Sequence, residues 1–456
     1  MNLPYNNKDP KSIEDYSKKI LNKTFKELLP DDAKIYKGKG NLGQLIEKYH
    51  FKYDPNNDAN PDFKEAGVEL KLTPYKINKN GSYSAKERLV LNIINYMTII
   101  QENFENSTLL HKNQLLLIIY YLYEEDLNQL DYRINFAQLF QFPKSDLRII
   151  KDDWEKIVDT IRNGNAHTLS ESDTFYLGAC TKGNKNTALR KQPYSNECAP
   201  QRAFSLKSKY MTHILNTYIR KRKTTYDPIV KNTNQLTNIT FEEYVLHILN
   251  SNVGKSVDDL SIEYEVKYKK NIKNFASKIS LKILKVNTKN AQEFENANIK
   301  IKAIRVEQNG MIEQHMSFPT FKFTEIIEQD WENSDLRNMF IETKFLFVIF
   351  RYDKNNILRL DKGMFWNMPL IDLDTEIKKV WDRTVQVIKS GVEIIKIKSK
   401  YYNNLPTSSN SSVAHVRPHS SKRDDAYPLP DGRMLTKQCF WLNNSYIKEQ
   451  IKNGGD

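Results

Sequence analysis

Cysteine is scarce in this chain of 456 residues, with only Cys180, Cys198 and Cys439 present. Three are too few for a disulfide framework, and their spacing is not that of a metal site. Long apolar runs are also missing. None approaches the roughly 18 uncharged residues of a membrane span, and the opening MNLPYNNKDPKSIEDY has no apolar signal-peptide core. A cytoplasmic protein with no membrane partner is expected. A hydrophobic content of 39% and a charged content of 27% suit a globular chain long enough for two or three domains. The formal net charge of +13 points to a polyanionic partner, nucleic acid being the commonest. The alternative is a uniformly lysine-rich composition, and local clustering separates the two. Between residues 180 and 223 the basic residues are 182, 185, 190, 191, 202, 207, 209, 220, 221, 222 and 223, against the single acid Glu197. That is a patch.

The candidate chemistry sits in residues 62–71, DFKEAGVELK. Val68, Leu70 and Leu72 alternate with Glu69 and Lys71, the period-two pattern of a half-buried strand. Asp62 lies upstream of Gly67, within reach of a bend that returns it to the face of Glu69. Two converging carboxylates are poor neighbours unless a cation sits between them. Hard oxygen ligands favour Mg²⁺, which takes one or two carboxylates plus phosphate oxygens. A lysine alongside can hold a phosphate and the attacking water. An Asp followed by Glu-x-Lys is therefore the arrangement of a metal-dependent nuclease, and an amphipathic edge strand is the alternative. Glu47, at the edge of the short amphipathic helix NLGQLIEKYH, is either a surface glutamate or a third carboxylate aimed at the metal. Lys112, at the mouth of the apolar run NQLLLIIYYLYEED, is either a solvated flank or a second phosphate-contacting base.

Along the chain, residues 12–29 read as a helix, and a glycine-bearing loop at 37–40 follows. Asn80-Gly81 marks a turn. RLVLNIINYM is either strand or helix. Residues 115–123 suit a central strand buried on both faces, and 152–162 an amphipathic helix stopped at Asn163-Gly164. The segment 224–238, polar and with a proline, reads as a linker between domains at 1–223 and 239–456. Features then recur in order past the linker. AGVELK is echoed by ANIKIK at 297–302, LLLIIYYLYEE by FLFVIFRYDKN, Trp154 to Gly164 by Trp381 to Gly391, and RAFSL by QCFWL at 438–442. Glu293 falls opposite Asp62, but Lys300 falls opposite Glu69, Ser280 opposite Glu47, and Ile341 or Glu342 opposite Lys112. A lysine in place of the central acid repels a divalent cation, so the second copy is expected to share the fold without cutting. Arg417, Lys422, Arg423, Arg433 and Lys437 suit a second DNA-binding surface there.

The block GNLGQLIE…PDFKEAGVELKLTP, with Lys112 and RAFSLKSKY, resembles the MutH mismatch-repair endonuclease. It is closer still to the MutH-like type II restriction endonucleases that cut at GATC and carry a second, inactive copy. The resemblance implies an α/β (mixed α+β) architecture of tandem PD-(D/E)XK domains, each a central mixed sheet flanked by helices, the second degenerate. It also implies Mg²⁺-dependent hydrolysis of double-stranded DNA leaving 5′-phosphates. Carried over, Asp62 and Glu69 would be metal ligands and Lys71 would position the water. Glu47 would be the auxiliary carboxylate and Lys112 the second active-site lysine. Lys182, Arg202, Ser205, Lys207 and Lys209 would contact DNA. Ser205 stands where the mismatch-repair enzyme reads adenine with a tyrosine, and the smaller side chain leaves room for a methylated adenine. Cutting a duplex takes two centres, so two chains assembling on DNA or one chain nicking twice is expected, with a methyltransferase as genetic partner. The rival readings are a strand-nicking repair endonuclease and a non-catalytic DNA-binding protein.

Overall fold

The computed structural model describes residues 3–30, 41–55, 59–183, 188–223, 225–268, 272–397, 400–419 and 424–454. The loop at 37–40, Lys185, Thr224, Lys422 and Arg423 lie outside the described residues. The chain forms two compact units, one of Met1–Phe241 with Thr288–Asn298 and one of Glu242–Asn287 with Ile299–Asp456. The mixed α/β character expected from sequence is present in both. Among the described residues no helix is long and apolar enough to cross a membrane.

In the first unit β1 (Val68–Ile77), β2 (Tyr83–Ala85), β4 (Leu115–Leu122) and β5 (Arg133–Phe140) form one mixed sheet in the order β2-β1-β4-β5. β1 and β4 run parallel with Glu69 opposite Leu116, whereas β4 and β5 are antiparallel. β4 is interior, and Leu116 to Tyr120 are all fully buried, as a continuous apolar run requires. β3 (Leu89–Ile93), β6 (Leu177–Thr181) and β9 (Arg202–Leu206) form a second, antiparallel sheet in the order β3-β9-β6, and β7 (Leu189–Arg190) with β8 (Ala199–Pro200) makes a short ribbon. The helix Lys144–Arg162 buries Ile150, Trp154, Ile157, Val158 and Ile161 at helical spacing. Its Asp153 carboxylate accepts the backbone N–H groups of Phe175, Tyr176 and Leu177 at 2.7, 2.6 and 2.9 Å, fixing the chain as it enters β6.

Three local expectations change. The 12–29 helix is two: Pro10–Ser17 with a 3₁₀ turn at Lys18–Ile20, then Phe25–Leu28. Asn22 adopts φ 65° between them and donates its N–H to Ile134 O at 2.7 Å, and a Thr24–Glu27 capping box restarts the helix. The ambiguous RLVLNIINYM is both, a strand at Leu89–Ile93 and a helix at Tyr96–Ile99 capped by Asn95. The expected linker is packed into the first unit, with Ile229, Val230 and Leu236 buried. The N–H groups of Ile229 and Val230 donate to the Glu293 carboxylate at 2.8 and 3.0 Å.

In the second unit β10 (Ile299–Val306), β12 (Lys344–Tyr352) and β13 (Leu358–Trp366) form a sheet in the order β10-β12-β13. The β10–β12 pair is parallel and the β12–β13 pair antiparallel. β11 (Met316–Phe321), β16 (Ala414–Pro418) and β19 (Gln438–Leu442) form an antiparallel sheet in the order β11-β19-β16. β14 (Ile394–Ile397) pairs with β15 (Lys400–Asn403), and β17 (Ala426–Pro428) with β18 (Met434–Thr436). The helix Lys378–Ser390 buries Val380, Trp381, Val385 and Ile388 beneath these sheets.

Gly67 holds φ 66° at the bend before β1, and a Cβ built there meets nothing within 4 Å. The cost of Gly67→Ala is thus one of backbone conformation, about 1 kcal/mol. Urea denaturation should show a loss of that size, and an unchanged midpoint would contradict it.

Candidate active site

Residues 62–71 form a tight turn leading into an interior strand. Phe63 and Val68 exchange backbone hydrogen bonds at 2.9 and 3.3 Å across the bend at Gly67. That bend folds Asp62 back on Glu69, and the two are tied reciprocally. The N–H of Asp62 donates to Glu69 Oε2 at 3.1 Å, and the N–H of Leu70 donates to Asp62 Oδ2 at 2.9 Å. β1 lies between β2 and β4, and Glu69 is only 3% exposed. An acid turned to water, as a merely amphipathic strand would carry, is thereby excluded, although β2 pairs with β1 only at residues 75–77.

Two lysines meet the buried acid. Lys71 Nζ donates to Glu69 Oε1 at 2.7 Å and to the backbone oxygen of Leu91, on β3, at 3.4 Å. Lys112, in the helix Thr108–Asn113 that feeds β4, brings its Nζ to 3.7 Å from the same Oε1. The β1–β4 register makes this meeting possible. Glu47 belongs to the wide helical turn Ile46–His50, after the helix Asn41–Leu45. Burial, then the charges of Asp62 and Glu69, push its carboxyl up to about 7, opposed by Lys71 and Lys112. Burial and the Glu69 charge also raise Asp62. All five residues expected at the centre therefore converge on it.

Tyr53 packs beside this turn with no sequence signal, because a single aromatic in a polar stretch has no periodicity. Tyr53 donates its backbone N–H to Glu47 O at 3.2 Å, and its ring meets Phe63 edge-on at 5.4 Å. Among the described residues its hydroxyl, itself buried, has no hydrogen-bond partner.

Among the described residues no group of three or more His, Cys, Asp or Glu side chains is set to share an ion. What the centre offers is the Asp62–Glu69 pair, and Mg²⁺ takes one or two carboxylates when water and phosphate complete its shell. The donor set fits. The Lys71 ammonium on Glu69 shows that the acid already demands a positive neighbour.

The expected DNA contacts divide. Lys209 is exposed and Lys182 half-exposed. Lys209 lies 3.7 Å from Glu295. Arg202, Ser205 and Lys207 are interior side chains of the free protein, at 3%, 0% and 6% exposure. Arg202 donates to Ala179 O at 2.7 Å, and Lys207 donates to Thr174 O beside the buried Asp153. Both cations hold β6 and its entry segment to β9. Ser205 Oγ is buried without a partner. In the second unit Arg417 lies over the Trp441 ring at 4.6 Å. Arg433 and Lys437 pair with Asp431 and Asp425 at 2.6 and 2.5 Å.

Comparison with known proteins places residues 51–153 under a family model described as DNA mismatch repair enzyme MutH. The chain is 36% identical to "Type II restriction enzyme Sau3AI" of Staphylococcus aureus, over 97% of this chain and 98% of that protein. It is 27% identical to "DNA mismatch repair protein MutH" of Shewanella woodyi (strain ATCC 51908 / MS32), over 40% of this chain and 79% of that protein. The same protein of Shewanella sp. (strain W3-18-1) is 29% identical over 40% and 81%.

A pH dependence follows from Glu47. Its folded value near 7 lies above the roughly 4.3 of an unfolded glutamate. The folded chain then binds the proton more tightly, so this contribution is full below about pH 4 and is lost as pH rises through about 7. In chelator, Glu47→Gln should melt above the parent at about pH 8, and the margin should close by about pH 4. A margin independent of pH would contradict the assignment.

Proposed function

Because the chain belongs to the MutH-like type II restriction endonucleases and is a site-specific deoxyribonuclease, we propose that it hydrolyses double-stranded DNA at GATC with Mg²⁺. The products carry 5′-phosphates. The observation that supports this reading best is the buried Asp62–Glu69 pair, cross-tied through the backbone and faced by Lys71 at 2.7 Å. The GATC site rests on the likeness of the motif block to that family.

Asp62 and Glu69 hold the ion. When bound, it supplies positive charge to a phosphate oxygen and acidifies a water. Lys71 and Lys112 keep fixed positive charge beside the reacting phosphate, in a site dry enough for that charge to matter. Leu91 O orients Lys71 from the other side of its ammonium. Glu47, raised to about 7 and so partly protonated near neutral pH, would give up its proton more readily once added positive charge lowers its affinity for it.

The first unit is the catalytic one, and the second is a degenerate copy that binds a further DNA site and promotes assembly. Strand order supports the duplication, with β1-β4-β5 matched by β10-β12-β13 and β3-β9-β6 by β11-β19-β16. Lys302, two residues past Lys300, donates to Ser317 O at 3.0 Å much as Lys71 donates to Leu91 O. Burial lowers Lys302 to about 8. Lys300 is exposed at the register of Glu69. Glu293 is spent on the N–H groups of Ile229 and Val230. One chain holds one centre, so cutting both strands takes either a second chain joining on DNA or one chain nicking twice. A cognate methyltransferase protects the host.

Asp62→Ala, Glu69→Ala and Lys71→Ala should retain DNA binding by anisotropy while cutting a plasmid about 10²–10³ times more slowly. Parental speed in any of them removes that residue from the centre. A plasmid with two sites should be linearised faster than a single-site plasmid, and equal rates would count against the second-site role.

A further inference from the structure

We propose that Tyr194, at the tip of the hairpin formed by residues 188–201, contacts the backbone of the bound duplex beside the cleavage centre. The inference rests on the nuclease reading above and names a DNA contact outside those expected from sequence.

The hairpin is rooted next to the strand that orients Lys71. β7 and β8 pair Leu189 with Pro200 and Arg190 with Ala199. Below them Gln201 donates its N–H to Ala188 O and accepts that of Lys182, both at 2.7 Å, which joins the ribbon to β6 and β9. The chain leaving β3 is tied to the same end. The N–H of Ile94 donates to Arg202 O at 2.9 Å, and the Tyr96 hydroxyl donates to Pro200 O. Leu91, whose oxygen takes the Lys71 ammonium, lies three residues before Ile94, roughly 10 Å along an extended chain.

The tip is pinned from within. Gln192 is buried, and its Oε1 accepts the N–H of Ala166 at 2.7 Å while its Nε2 donates to His167 Nδ1 at 3.0 Å and to Glu197 O at 2.7 Å. Pro193 is buried, and the Tyr194 backbone rests on Gly164, where a Cβ would come within 3.0 Å of Tyr194 O. On this support Tyr194 takes the left-handed φ of 58° and leaves its side chain 81% exposed. Both features work against stability, since a left-handed residue with a side chain is strained and an exposed ring gains nothing from burial. Glycine would adopt that φ freely. Arg190 and Lys191 beside it are exposed, and Glu197, the one acid between residues 191 and 198, lies 3.4 Å from His167 Nε2. A rigidly presented tyrosine flanked by two cations suits a duplex backbone, whose sugars take the ring and whose phosphates take the hydroxyl.

The test uses the full chain carrying Tyr194→Gly. The variant should melt at or above the parent temperature, because glycine relieves the left-handed strain and an exposed side chain leaves no cavity. In chelator, anisotropy should show duplex DNA bound about 10-fold more weakly, as for the loss of one well-placed tyrosine. The loss should be the same with and without GATC, since backbone contacts carry no sequence information. In Mg²⁺ the effect on plasmid cutting should fall on KM rather than kcat. DNA binding at parental affinity would overturn the contact and leave the nuclease reading standing. A parent that binds duplex DNA but does not cut it in Mg²⁺ would overturn the nuclease reading alone, and a parent that binds none would overturn both. A loss confined to GATC duplexes would overturn the backbone contact by making Tyr194 a reader of bases. A variant that melts well below the parent would overturn it by showing that the ring already has a structural role.

Discussion

A carboxylate buried to 3% exposure, with two more acids beside it, is the constraint on which the first unit depends. Two unit charges about 4 Å apart interact by about 4 kcal/mol at an effective dielectric near 20. Like charges that close cannot persist together without protons or cations. The fold answers with both: Glu47 and Asp62 hold protons more tightly than usual, and Lys71 and Lys112 crowd Glu69. Each cation comes from a different place, Lys71 from the same strand and Lys112 from the helix before the parallel neighbour. The β1–β4 pairing is thus what assembles the centre, and the bend at Gly67 is what closes it.

On the proposed duplication, the second unit is the same frame without that constraint. β10 carries Lys300 where β1 carries Glu69, and Lys300 turns to solvent. Lys302 donates to a neighbouring strand, yet burial, and then the charge of Lys273, lowers its hold on the proton. On that reading sheet order is retained while the charge pattern is lost. An apolar frame survives substitutions that a metal-binding cluster cannot, because packing tolerates many residues of similar volume whereas ion binding needs particular ligands.

What was legible in the sequence follows the same division. Period-two alternation exposed β1, an unbroken apolar run exposed β4, and helical spacing exposed the Trp154 helix. Glu69 and Lys71 were readable because their spacing along one strand sets where they meet, whereas the spacing left Lys112 between a solvated flank and a phosphate-contacting base. Arg202 and Lys207 were not, because composition names a cation without saying which carbonyl receives it. Here Ala179 O and Thr174 O do, so two residues expected at DNA hold strands together. The 224–238 segment looked like a linker because its polar residues outnumber Ile229, Val230 and Leu236, the three that bury. Asn22 broke an otherwise periodic helix by taking a left-handed turn toward β5. Tyr53 was invisible, since its position comes from a turn at Lys52 and a ring contact with Phe63.

The central claim is that Asp62 and Glu69 together grip one divalent ion. Anomalous diffraction from crystals of the full chain soaked in Mn²⁺ tests it most directly. A single peak bonded to the carboxylates of both residues is expected. A peak bonded to neither, or Mn²⁺ bound only elsewhere in the chain, would contradict it.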